Sequence, residues 1–170
     1  MTFTNFFGEI DMADRTLPKG KIDDFNFLFG TWDVHNRRLV ERWVGSDVWE
    51  EFSGESHCEP RLGTGANVDE LSMPDKGFSG LTLRVFDIAR QQWAIYWVSS
   101  QSGVPFPPVH GGFTGDHGVF FGKDEDEGQP VHVRFFWSKL GPDAARWQQA
   151  FSRDGLIWET NWIMDFTRKS

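Results

Sequence analysis

The sequence predicts an all-β domain, an antiparallel up-and-down barrel of about eight to ten strands with a short helical turn and an arm at its N-terminus. Three observations predict it. From Trp32 onward, short runs rich in Val, Phe, Trp, Thr and Ile recur about every dozen residues, separated by Gly, Asp, Asn and Pro. No long stretch carries the 3.6-residue apolar period of an amphipathic helix, so an α/β arrangement fits poorly. The apolar run Asp24-Phe25-Asn26-Phe27-Leu28-Phe29 ends at Gly30-Thr31-Trp32, just where the strand-like runs begin. A glycine lets the chain turn in tightly there, and a neighbouring Trp can plug the end of a small barrel.

In chain order, the residues up to 22 read as an arm and 23–170 as the barrel domain. A single helical turn falls near Asp23–Phe29, with Asp23 or Asp24 as its cap. Strands are expected near 31–43, 48–60, 65–72, 79–87, 92–100, 108–114 or 117–122, 130–138, 146–152 and 157–167. The links Asp87–Gln92, Asp124–Gly128 and Arg153–Leu156 are short, polar or Gly-bearing, so neighbouring strands should pair antiparallel. The acidic link Asp124-Glu125-Asp126-Glu127 reads as a solvated hairpin tip, because it lacks the ligand spacing of a calcium loop.

Two hairpins echo each other: Phe86, Trp93 and Trp97 recur at the same offsets as Phe151, Trp158 and Trp162. Side chains alternate between the faces of a strand, so pairing Asp87 with Gln92 puts Arg84, Phe86, Trp93, Ile95 and Trp97 on one face. Pairing Ser152 with Ile157 likewise groups Trp147, Gln149, Phe151, Trp158, Thr160, Trp162 and Met164. The opposite face holds Leu81, Leu83, Val85, Ala94, Tyr96, Val98, Asn161 and Ile163; one of the two faces lines the barrel and the other needs cover. Cover is expected from the arm, through Phe3, Phe6, Phe7 and Ile10, or from a second copy in a homodimer.

The 170 residues suit one domain that buries roughly 70% of its unfolded surface. A net charge of −8 without clustered Lys or Arg argues against nucleic acid as a partner. Cys58 is the lone cysteine, which excludes an intrachain disulfide and a Cys-x-x-Cys motif and points to a reducing compartment, the cytoplasm. The N-terminus does not read as a signal peptide, and the uncharged stretch 91–115 carries too many Pro and Gly to span a bilayer, so no membrane role is expected. His35, His57, His110, His117 and His132 show no metal-ligand spacing, so no metal or cofactor is expected; haem at His110 or His117 would need tertiary convergence. No nucleophile elbow or phosphate loop is present. The Pro-rich segment 103–112 reads as a barrel-mouth lid or a rigid corner.

The polar residues set among aromatic strands are the candidate ligand contacts: Asn67, Glu70, Arg84, Tyr96, Arg134, Gln149 and Asn161, with Trp97 as an aromatic wall. An arginine among rings can hold an anion or carbonyl while the rings bury the rest of a ligand. The same arginines can instead pair with Glu70, Asp69 or Asp165, or stack on Trp outside the barrel.

Taken together, Asp24-Phe25-x-Phe27-Leu28-x-Gly30-Thr31-Trp32, Trp49-Glu50-Glu51-Phe52, Asn67-Val68-Asp69-Glu70, the run Gly80–Asp87 and Trp158-Glu159-Thr160-Asn161-Trp162 resemble bacterial calycin-like, lipocalin-type small barrels of uncharacterised function, over residues 23–168. The resemblance implies a barrel that binds a small apolar or amphipathic molecule, with Trp32 packed at the closed end beside Arg168. It also implies that function belongs at the opposite, open end. Some calycins are cofactor-independent lyases, cyclases or isomerases, and one branch, the nitrobindins, holds haem through a His. Here such an enzyme would use Glu70 or Asp69 as base, with Tyr96 or Arg84 stabilising the developing charge. The expected function is therefore an intracellular small-molecule-binding barrel, for a ligand with an anionic or carbonyl group. The alternatives are an enzyme in the same cavity and an assembly module with a filled barrel.

Overall fold

A computed structural model gives the structure of residues 16–170, so the expected arm residues Phe3, Phe6, Phe7 and Ile10 lie outside the described residues. Ten strands run in order: β1 Gly30–Leu39, β2 Trp49–Arg61, β3 Ala66–Met73, β4 Phe78–Asp87, β5 Gln92–Ser99, β6 Val109–Thr114, β7 His117–Asp126, β8 Gln129–Gly141, β9 Ala144–Ser152 and β10 Glu159–Arg168. Each pairs antiparallel with its sequence neighbours, and β1 pairs with β10, closing the sheet into a barrel. Full closure removes every exposed sheet edge. Both expected segments, 108–114 and 117–122, are strands, joined through Gly115 and Asp116.

Alternation decides the interior. On β4, Phe78, Gly80, Thr82 and Arg84 are buried while Leu81 and Leu83 are exposed, the period of two that a half-solvated strand requires. Asp87 pairs with Gln92, so β4 and β5 have the expected register. The β9–β10 register differs from expectation: Phe151 pairs with Glu159, and a bulge lies between Thr160 and Trp162. The cause is Asp154, whose Oδ1 accepts the backbone N–H groups of Leu156 and Ile157 and so lengthens the turn. The bulge brings Asn161 to the cavity side together with Trp162, where the expected register set the two on opposite faces, and leaves it 3% exposed. Trp158 lies before the strand, against Phe121, and does not share the inner face with Trp162.

One end of the barrel is packed shut. Phe25 is fully buried and meets Trp93 and Phe113 edge-on at 5.0 and 5.1 Å. A 3-10 turn, Asn26–Leu28, leads into β1, and no Asp side chain caps it; Asp24 instead accepts the N–H of Lys21. Trp32 is fully buried and donates Nε1–H to the Leu28 carbonyl at 2.9 Å. Arg168 lies 4.1 Å over the Trp32 ring and donates to the carbonyls of Phe27 and Phe29, both at 2.7 Å, tying the 3-10 turn to β10. Residues 17–21 run over this end as well: the carbonyls of Leu17 and Lys21 accept from the Gln92 and Trp93 side chains.

Candidate functional site

The other end opens into a cavity of about 270 Å³. Its wall is aromatic, from Trp97 on β5, Phe135 on β8, Trp147 and Phe151 on β9, and Trp162 on β10. Trp97 reaches its place because β4 has no side chain at Gly80: a Cβ there would lie 1.5 Å from the Trp97 ring. The interior is thus not filled by side chains, which departs from the assembly-module alternative. The volume is near the lower end of the roughly 300–1,000 Å³ usual for small-molecule sites, and above the about 150 Å³ that accommodates benzene in an engineered cavity.

A polar floor is set into this wall. Arg84 of β4 and Asp69 of β3 face inward and form an ion pair at 2.7 Å, with side chains 4% and 5% exposed. A second guanidinium N–H goes to the Asn67 Oδ1 at 2.9 Å, and Ser56 donates to the other Asp69 oxygen at 3.4 Å. On the far wall Gln149 donates to the Asn161 Oδ1 at 2.8 Å. These bonds leave buried donors unused. Arg84 Nε, Asn67 Nδ2 and Asn161 Nδ2 have no acceptor among the described residues.

The mouth is strapped. β1 ends at Leu39 and not near residue 43, because the β1–β2 loop leaves the sheet and crosses the opening. Arg42 donates Nε and Nη2 to the two Asp126 oxygens at 2.9 and 2.6 Å, and Trp43 Nε1 reaches Asp126 at 2.7 Å. The Trp43 backbone N–H donates to the Glu159 carboxylate at 3.0 Å, and its ring stacks on Phe151. Trp43 has φ +68°, a left-handed conformation that costs a bulky residue roughly 1–3 kcal/mol and that these contacts hold in place. Burial works to raise the Asp126 pKa, but the hydrogen bonds from Arg42 and Trp43 outweigh it and hold Asp126 below the ordinary carboxylate value. The acidic link is therefore no simple solvated tip: Asp126 is the far anchor of the strap.

No protein-family profile matches the chain, and no curated protein matches it. Among solved structures the chain is similar to a redesigned β-barrel, 10% identical, over 89% of this chain and 100% of that one, with a TM-score of 0.50. The likeness is one of fold. A second match, EF1p2_mFAP2b bound to DFHBI, is 12% identical over 88% of this chain and 100% of that one, with a TM-score of 0.46. Neither match places the chain in the calycin or lipocalin family; what is shared is the small antiparallel barrel.

Of the candidate contacts, the fold brings Arg84, Trp97, Gln149 and Asn161 to the cavity wall and sets Asn67 behind Arg84. It sends three elsewhere. Glu70 is exposed on the outer face, since its neighbours Asp69 and Leu71 take the inward positions. Tyr96 alternates with the inward Ile95 and Trp97 and so lies outside, opposite the exposed Leu83. Arg134 sits 4.7 Å over Trp158 on the outer face. Of the base and acid suggested for proton transfer, Asp69 and Arg84 alone line the cavity, and they hold each other. His110 and His117 alternate with inward residues of β6 and β7 and lie outside, His117 stacked on Phe136. Among the described residues no group of three or more His, Cys, Asp or Glu is placed to hold a metal ion, and no helix is long and apolar enough to cross a membrane. Sequence reasoning missed Arg42, Trp43 and Glu159 as a unit: Arg42 and Trp43 fell at the end of the strand expected near 31–43, whereas β1 ends at Leu39.

Proposed function

We propose that the barrel is a binding protein for a small apolar or amphipathic molecule that carries a hydrogen-bond acceptor, a carbonyl or an anionic group. The observation that carries this reading is the set of unused buried donors, Arg84 Nε and Asn161 Nδ2, on the polar part of an otherwise aromatic cavity. A buried donor without an acceptor costs about 1–3 kcal/mol, and a ligand that supplies the acceptor recovers it while burying its apolar body against Trp97, Trp147 and Trp162. The lone, buried Cys58 suits a reducing compartment, and the proposed setting is the cytoplasm. The exposed Leu81 and Leu83 suit a second copy of the chain, which light scattering at micromolar concentration tests.

The decisive experiment is to denature protein purified from its native source and search for a released small molecule by mass spectrometry, then to return that molecule and follow tryptophan fluorescence. Binding without change of the molecule supports the proposal. Chemical conversion of the molecule replaces it with an enzyme acting in the same cavity. Absence of any molecule, with tryptophan emission insensitive to added aromatic carbonyl compounds, overturns it.

A further inference from the structure

We propose that the cavity selects an uncharged ligand whose carbonyl faces Arg84 and Asn161, and discriminates against carboxylates of the same shape. This rests on the binding reading above and narrows it. Among the described residues, three arginines and four carboxylates line the cavity and its rim, and every one of those arginines is already held by a carboxylate. Arg84 is paired with Asp69, Arg42 with Asp126, and Arg38 with Glu50 at 2.6 Å. Asp124 and Glu125 add negative charge at the rim. A ligand carboxylate would therefore enter beside the compensated Asp69 with no free counter-charge, in surroundings that screen poorly. A ketone or amide carbonyl brings the acceptor without the charge. It accepts from the N–H groups left over on Arg84 and Asn161, two cavity-lining residues that are each 3% exposed. The surplus is on the donor side, so a donor-only ligand such as an ammonium is mismatched at the floor.

The test uses three naphthalenes of similar size followed by tryptophan quenching: 2-acetylnaphthalene, 2-naphthoate and 2-ethylnaphthalene, at neutral pH. The ketone is expected to bind at least tenfold tighter than either of the others. Equal or tighter binding of naphthoate overturns the proposal, because the floor is then an anion site. Equal binding of the ethyl compound also overturns it, because the donors are then idle. Binding of none of the three defeats the binding reading itself, and this proposal with it. Asp69→Asn supplies the sharpest check, since it leaves Arg84 without its counter-charge: the ratio of naphthoate to ketone affinity should rise at least tenfold. An unchanged preference in a folded Asp69→Asn protein refutes the charge argument. Asn161→Leu, which touches neither charge, should weaken the ketone several-fold and leave naphthoate as poor as before; an unaltered ketone affinity also counts against the proposal.

Discussion

Replacing Arg84 by Met should destabilise the barrel by about 3–5 kcal/mol, because it strands a carboxylate with a side chain only 5% exposed. Asp69 would keep only the long bond from Ser56 at 3.4 Å, and Asn67 would lose the donor at 2.9 Å. At about 2–4 °C per kcal/mol for a chain of this size, the melting temperature should fall by roughly 6–20 °C. Asp69→Leu should cost a similar amount, since it strands the cation, whose remaining supports are Asn67 and the rings of Phe25 and Trp137 at 5.2 and 5.7 Å. The double variant removes both charges. A buried ion pair exchanged for apolar groups is often neutral or stabilising by about 1–4 kcal/mol, but Asn67 and Ser56 each lose a partner at roughly 1–3 kcal/mol. The double variant should therefore settle within about 2 kcal/mol of the parent, and the two single effects should fail to add by at least about 3 kcal/mol. Urea unfolding followed by tryptophan fluorescence and far-UV circular dichroism measures all four corners, provided the m-values agree. Single variants costing under about 1 kcal/mol each, or a double variant equal to their sum, would show that the pair is screened by water and that the floor is not a dry site.

Three further outcomes follow from the same geometry. Gly80→Ala should destabilise by about 1–3 kcal/mol and displace Trp97, because the new methyl overlaps its ring; unaltered tryptophan emission and unaltered stability would contradict the packing described. The Cys58 thiol is pushed up to about 12 by burial, so it should resist a thiol reagent at pH 8 at a rate set by unfolding, whereas rapid labelling of the native protein would place it at the surface. Asp126 has a folded pKa below its ordinary value of 3.8, so the strap contributes stability above that value and loses it as pH falls through the lower folded one. Asp126→Asn should accordingly lower the melting temperature at pH 7, and the gap to the parent should close only below about pH 4; a gap that closes near pH 6 would assign the effect to another group.

The barrel was legible because its signals are local: period-two burial, turn residues at short spacing and the Gly30-Thr31-Trp32 entry each need only neighbouring residues to be read. That Arg84, Phe86, Trp93, Ile95 and Trp97 share one face of β4 and β5 was legible for the same reason, since one two-strand register fixes every side chain on it. Asn161 was misplaced because a single bulge reverses the parity of a strand, and the cause, the Asp154 turn, lies outside the strand itself. Glu70 and Tyr96 share their strands with inward residues, and composition alone could not say which parity the closed barrel would choose. The strap was illegible because Arg42 and Asp126 are 84 positions apart, a distance over which pattern carries no information.

The seam between β1 and β10 also bears on how the chain folds. Nine of the ten strand pairings join consecutive strands, whereas the seam joins residues such as Trp32 and Arg168, 136 positions apart (168 − 32). Closing a loop of that length costs about 4 kcal/mol of chain entropy, against about 1 kcal/mol for a four-residue turn. The hairpins can therefore form early as an open ribbon with two bare edges, and the barrel becomes resistant to pairing with other chains only when the seam zips. Arg168, clamping Trp32 and the carbonyls of Phe27 and Phe29, is placed to make that last step hard to reverse, so its loss should show as faster unfolding more than as slower folding.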